Sequence, residues 1–181
     1  VAAVLTVGYL TIVSGCLHLD GLADTADGLV GGRDREEALD IMRDSRIGSM
    51  GVAAVFCALA LKTSALFSLG AAGLWKGALV LPIAGRIAMV LAAWFLPYAR
   101  EGGGLGAEFC QAGGRWKALL IFLLPLAAGF RGMMAAGVAL VASMVFIALQ
   151  KRYLGGATGD TLGATGEVAE AFAAVGLCIT F

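Results

Sequence analysis

Residues 48–70 read GSMGVAAVFCALALKTSALFSLG, and this stretch decides the fold class. It holds no acid and a single base, Lys62. A helix needs about 20 mainly apolar residues to cross the ~30 Å hydrocarbon layer of a bilayer. Backbone amides and carbonyls find no partners in lipid, so a segment of this kind spans as a helix. The run does not alternate apolar and polar residues, as a barrel strand would.

Working outward, comparable blocks occupy 1–17, 77–97, 117–130, 132–149 and 168–181. Polar segments separate them at 18–47, 71–76, 98–116, around Arg131 and at 150–167. Hydrophobic types make up 60% of the 181 residues and charged types 14%, against about half and a quarter in a soluble domain. The pattern predicts an all-α, polytopic transmembrane helix bundle with about six apolar segments, forming a single membrane-embedded domain over 1–181. Block 117–130 is short and contains Pro125, which fits a re-entrant segment as well as a full crossing. The chain opens at Val1 inside an apolar stretch, without a charged lead, and reads as a fragment lacking one or two N-terminal spans rather than as a signal peptide. Net charge is zero and no basic stripe with interleaved aromatics occurs, so no nucleic-acid partner is expected. Cys16, Cys57, Cys110 and Cys178 are scattered, without a CxxC pair, and read as small packing residues.

If every block spans, Arg33, Arg35, Arg43, Arg46, Arg100, Arg115, Lys117, Lys151 and Arg152 share one side, and Lys76 and Arg131 lie on the other. The positive-inside rule makes the richer side cytoplasmic. All 13 acids fall in the same segments or at their membrane edge, which points to chemistry on that face.

The longest polar segment, with its flanks, runs HLDGLADTADGLVGGRDREEALDIMRDSRIGSMG from His18 to Gly51. At about 100° per residue, Asp20, Asp24 and Asp27 fall within an arc of about 60° on one helical face. Stacked carboxylates oppose one another's ionisation, and a divalent cation reverses that repulsion. Magnesium combines a few carboxylates with waters and substrate phosphates. The competing reading is a solvated helix end whose acids pair with arginines, but no base stands at i+4 from these aspartates. Gly28, Gly31 and Gly32 are expected to break the helix. Asp34 and Glu37 form a capping-box-like start to an amphipathic helix over 35–47, with Leu39, Met42 and Ile47 toward the membrane and Gly48 as its C-cap. Arg33, Arg43 and Arg46 offer forked donors to phosphate, or ion pairs within the loop. His18 is an interfacial polar residue or a ligand.

A second cluster, GGATGDTLGATGEVAE at 155–170, places Asp160 and Glu167 near one helical face, with Glu170 further round. Acids at the entrance of an apolar block mark function or a helix start, and both readings stand. Lys62 and Arg86 lie inside apolar blocks, where a cation is functional by default unless it pairs with an acid. The stretch YAREGGGLGAEFCQAGG at 98–114 reads as a flexible loop able to cover a ligand.

HLDGLADTADG at 18–28, IMRDSRIGSMG at 41–51, YAREGGGLG at 98–106 and LGGATGDTLGA at 154–164, with a glutamate following, together resemble the cobalamin-5′-phosphate synthase family, also called adenosylcobinamide-GDP ribazoletransferases. The resemblance runs in order from His18 to Glu170. It implies a magnesium-dependent transfer of the adenosylcobinamide-phosphate group from adenosylcobinamide-GDP to α-ribazole or its 5′-phosphate, releasing GMP, on the cytoplasmic face of a prokaryotic inner membrane. Under it, Asp20, Asp24 and Asp27 hold metal, Asp44 is the candidate general base with Asp160 second, and Arg43, Arg46 and Glu167 meet substrate. The chemistry parallels that of CDP-alcohol phosphotransferases, whose aspartate spacing differs. An enzyme of that kind is the alternative reading, and an ion-coupled transporter a more distant one.

Overall fold

The computed structural model describes residues 1–100, 105–111 and 129–179. Among the described residues eight helices form: α1 (Ala2–Val13), α2 (Leu17–Gly31), α3 (Arg35–Ile41), α4 (Ser49–Ser68), α5 (Gly70–Phe95), α6 (Leu105–Gln111), α7 (Gly129–Leu154) and α8 (Gly159–Ile179). Among the described residues there is no strand, only an isolated bridge between Tyr98 and Ala157. Among the described residues four helices, α4, α5, α7 and α8, are long and apolar enough to cross a membrane. The helices α1 and α2 pass that test only as a pair and meet at 87°, giving four or five spans. The bend falls where Gly15 and Cys16 both take φ near +60°, a backbone region costly for the cysteine. Residues 117–128, with Pro125, lie outside the described residues, while 129 and 130 open α7.

Several expected boundaries move. The polar segment 71–76 and Arg131 are absorbed into α5 and α7. The helix α8 starts at Gly159, so Asp160 to Glu167 are the first turns of a span rather than a linker. Thr158 and Thr161 explain this start: each backbone N–H donates to the other's hydroxyl, at 2.8 and 3.1 Å, a reciprocal cap. Asp34 caps α3 as expected, accepting from the Glu37 N–H at 3.0 Å, yet the helix ends at Ile41 rather than 47. Its apolar side chains Leu39 and Met42 pack on Leu154, while Ile47 is exposed. Gly48 is extended and begins α4 instead of closing α3. The helix α2 runs through Gly28 to Gly31, because Gly28 lets Met42 and the Ala38 carbonyl approach where a Cβ would stand. Part of the expected flexible loop is helical, as α6, with Ala107 and Cys110 buried.

The helix α8 lies at the centre and packs against α2, α4, α5 and α7. Membrane helices have little hydrophobic drive to associate and rely on close packing of small residues. At Gly21 an added Cβ would stand 2.5 Å from the Asp160 carbonyl oxygen, and at Gly163 one would stand 3.1 Å from His18 Cα. The helices α2 and α8 therefore cross in backbone contact.

The start of α4, the end of α5, the end of α7 and the start of α8 gather at one mouth of the bundle. The Ala99 N–H donates to the Ala157 carbonyl and the Ala157 N–H to the Pro97 carbonyl, both at 2.8 Å. Arg35 Nε donates to the Leu154 carbonyl and its Nη2 to the Ala99 carbonyl, again at 2.8 Å each. The first of these satisfies a carbonyl that the end of α7 leaves without a helical partner.

Candidate functional site

The crossing at Gly21 sets Asp160 of α8 against the aspartate face of α2. Asp20 is exposed, and Asp24, Asp27 and Asp160 are half-buried. Asp24 sits at the mouth, outside the four spans. Burial first, then the charges of Asp20 and Asp160 and, more weakly, Asp27, push its carboxyl up to about 6, with Arg100 acting in the opposite direction. The four acids thus act as one electrostatic group. Arg100 enters it from beyond α5, with Nη2 2.8 Å from Asp160 Oδ2. That contact is close but not aligned: among the described residues, Arg100 Nε and Asp160 Oδ2 have no hydrogen-bond partner.

Asp27 has a structural task as well. It accepts from the Gly48 N–H at 2.7 Å and the Gly51 N–H at 2.9 Å, and so caps α4 from another helix. A Cβ at Gly48 or Gly51 would collide with its carboxylate. Asp27→Ala is expected to destabilise the protein by about 1–2 kcal/mol through loss of this cap. Thermal unfolding of the purified protein checks it, and an unchanged midpoint would remove the cap from the account.

The remaining sequence candidates lie elsewhere. Asp44 follows α3 and is gripped by Arg46 through both guanidinium and backbone, which holds its carboxyl down at about 2. Arg43 pairs with Asp40 at 3.0 Å. Both arginines are solvent-exposed members of loop ion pairs, the alternative raised for them from the sequence. Glu167 is not at the membrane edge: it is buried, seven residues beyond Asp160 on α8 and about 10 Å along the axis, with Oε2 2.7 Å from Lys62 Nζ. Glu170 lies deeper still and pairs with Lys62 at 3.2 Å and with Arg86 at 2.9 Å. Acids therefore penetrate the bundle, contrary to the expectation that all stay at its edge.

Two groupings bear on metal. Among the described residues, the three-ligand group whose donor atoms lie within 4.8 Å of one another is His18, Glu167 and Glu170. Lys62 and Arg86 already neutralise those two carboxylates, so a dication there would leave excess charge in a low-dielectric interior, at high cost. The mouth aspartates are more widely spread, but their all-oxygen donors and excess of four acids over Arg100 suit magnesium, which keeps waters and takes substrate phosphates as further ligands.

From the sequence Arg100 contributes only to the count of bases on one side of the membrane. Its only sequence signal is that it is the sole base between Arg86 and Arg115. The Lys62–Glu167–Glu170 contacts were foreshadowed only as complementary charges inside apolar blocks.

Fold and site together define a polytopic α-helical membrane protein with a carboxylate and arginine site at one mouth of its bundle. The chain belongs to the cobalamin-5-phosphate synthase family, whose family model matches residues 1–178. It is 43% identical over 169 residues to an adenosylcobinamide-GDP ribazoletransferase of Desulforamulus reducens, covering 90% of this chain and 68% of the relative. Proteins of the same name from Syntrophobacter fumaroxidans and Acetivibrio thermocellus are 42% identical over 173 residues and 39% over 177. The matches cover 93% and 95% of this chain, and 70% and 71% of those relatives. No solved structure matches it.

Proposed function

We propose that this protein is a magnesium-dependent adenosylcobinamide-GDP ribazoletransferase, joining adenosylcobinamide-GDP to α-ribazole or its 5′-phosphate with release of GMP. The observation that carries the reading is the meeting of Asp20 and Asp24 on α2 with Asp160 on α8 beside Arg100. A ribose hydroxyl oxygen attacks the cobinamide-side phosphorus, the bond from that phosphorus to the bridging oxygen breaks, and GMP leaves with the electron pair. Little covalent chemistry falls to the protein, which positions groups and offsets charge. Asp20, Asp24 and Asp27 would hold the metal, Asp27 through lone pairs not used by the cap. Magnesium, when bound, supplies charge stabilisation at the phosphate oxygens.

Arg100 offers a planar guanidinium to phosphate. Asp160 is the better-placed acceptor of the hydroxyl proton, because it faces Asp24 in the mouth group, whereas Asp44 is gripped by Arg46 outside that group. Arg43 and Arg46, exposed after α3, would serve as outer contacts to the donor. The positive-inside count supports a cytoplasmic mouth on an inner membrane.

The test is product identity. Membranes holding the intact protein, given adenosylcobinamide-GDP, α-ribazole and magnesium, are expected to yield GMP and a cobalamin product. A chelator should stop the reaction and added magnesium restore it. Release of CMP from a CDP-linked lipid, with no GMP, would favour the alcohol phosphotransferase reading instead.

A further inference from the structure

About two helical turns below the mouth, five ionisable side chains from four helices meet inside the bundle. His18 comes from α2, Lys62 from α4, Arg86 from α5, and Glu167 and Glu170 from α8. Lys62 Nζ lies 2.7 Å from Glu167 and 3.2 Å from Glu170, and Arg86 Nη1 lies 2.9 Å from the other Glu170 oxygen. A His18 ring nitrogen stands within 4.8 Å of both carboxylates. Lys62, Glu167 and Glu170 are 2%, 3% and 4% exposed, and the half-exposed Arg86 completes a balance of two acids and two bases.

Gly85 admits the Glu170 carboxylate to α5, where a Cβ would stand 2.8 Å from its Oε1. A cavity of about 70 Å³ adjoins the cluster, lined among others by Thr11, Ser14 and Arg86. That is room for about two waters, and Thr11 Oγ1, which has no partner among the described residues, would face them. None of these groups has a part in the proposed reaction.

We propose that this cluster is a register lock. It fixes the depth and rotation of α2, α4 and α5 on α8, and so sets Asp20 and Asp24 opposite Asp160. Apolar faces of membrane helices slide and rotate at little cost, because lipid and helix surface are equally apolar. A one-turn slip or a rotation of α8 would strand at least one buried charge, and setting a single register is the best-attested use of buried polar groups. The linkage to the site is short. His18 precedes Asp20 by two residues on α2 and packs on Gly163, while Asp160 packs on Gly21. The two glycine contacts fix the spacing of α2 on α8, the ion pairs set α4 and α5 on α8, and His18 beside the two carboxylates ties α2 to that register. Glu167, Glu170, Lys62, Arg86 and His18 are positioning residues in this scheme. Their effect on turnover rests on the ribazoletransferase reading, whereas their effect on geometry does not.

The experiment uses the intact protein in lipid nanodiscs, with native cysteines replaced and nitroxides at two exposed sites, Val30 on α2 and Phe172 on α8. The distance distribution between labels is read by pulsed dipolar spectroscopy. The parent is expected to give one narrow distance. Glu170→Gln, which leaves the Lys62–Glu167 pair in place, and Lys62→Met should broaden or shift it. Lys62→Glu combined with Glu167→Lys should restore it. In parallel, Glu170→Gln should lower kcat per folded molecule about 10²-fold, the effect of a displacement near 1 Å, with KM for the nucleotide donor unchanged. Lys62→Glu alone should lower kcat comparably, and adding Glu167→Lys to it should recover most of that loss. Unchanged distances in both single variants, or broadening that charge exchange does not reverse, would overturn the lock. If distances respond as expected but the parent shows no turnover with adenosylcobinamide-GDP, the lock stands and the reaction assignment falls.

Discussion

Asp24→Asn is expected to lower GMP formation by about 10²–10³-fold, the cost of removing one preorganised electrostatic contact to a reacting centre, while the folded protein becomes no less stable. The two parts of this result have opposite signs for one reason. Asp24 is half-buried beside Asp20, Asp160 and Asp27, and its carboxyl is pushed up to about 6. An acid whose folded pKa exceeds its unfolded value opposes folding once pH rises above the unfolded value, and the penalty is fully developed above the folded one. At neutral pH the ionised Asp24 therefore costs stability, which the isosteric amide relieves. The same amide cannot share a negative charge with a cation or a phosphoryl group. Steady-state assays and thermal unfolding of one preparation check both halves. Near-normal turnover would remove Asp24 from the site, and a lowered unfolding midpoint would mean that its charge is structurally compensated after all.

Gly21→Val should damage both activity and fold. The new Cβ would stand 2.5 Å from the Asp160 carbonyl oxygen and 2.9 Å from its Cα. These are backbone atoms, which cannot swing aside, so α2 and α8 must separate. Overpacking of this kind costs about 1–3 kcal/mol. Displacing the α2 aspartates from Asp160 should also cost at least about 10²-fold in rate, since a misplacement near 1 Å is enough. Gly137→Ala on α7 is the control, because an added Cβ there meets nothing within 4 Å. It should leave activity unchanged. Equal behaviour of the two variants would show that the helix crossing is not set by Gly21.

The span-forming helices were legible because lipid imposes one rule, continuous apolar helix, and 48–70 states it without interruption. Boundaries were less legible, since they rest on single contacts. The mutual Thr158–Thr161 cap brings the start of α8 forward to Gly159, and Met42 packing on Leu154 goes with the early stop of α3. Helical periodicity placed Asp20, Asp24 and Asp27 on one face, but it carries no information about partners on other helices. The Asp27 cap spans more than 20 residues of sequence, and the approach of Asp160 depends on a glycine crossing. Arg43 and Arg46 looked available to phosphate because spacing alone does not separate a free arginine from one paired with Asp40 or Asp44. Glu167 reads as a rim residue in the sequence because the apolar run begins after it, whereas the helix begins eight residues before it.

We propose that Asp20, Asp24 and Asp27 on α2 hold the divalent metal, with Asp160 of α8 facing them. Manganese is the probe, and its binding to the intact, magnesium-free protein is followed by electron paramagnetic resonance with and without adenosylcobinamide-GDP. Binding is expected to be strengthened by the nucleotide, to be weakened about 10-fold or more by Asp20→Asn and by Asp24→Asn, and to carry over to the magnesium dependence of turnover. Binding retained in Asp24→Asn but lost in Glu167→Gln would put the metal in the buried His18–Glu167–Glu170 group and contradict the account.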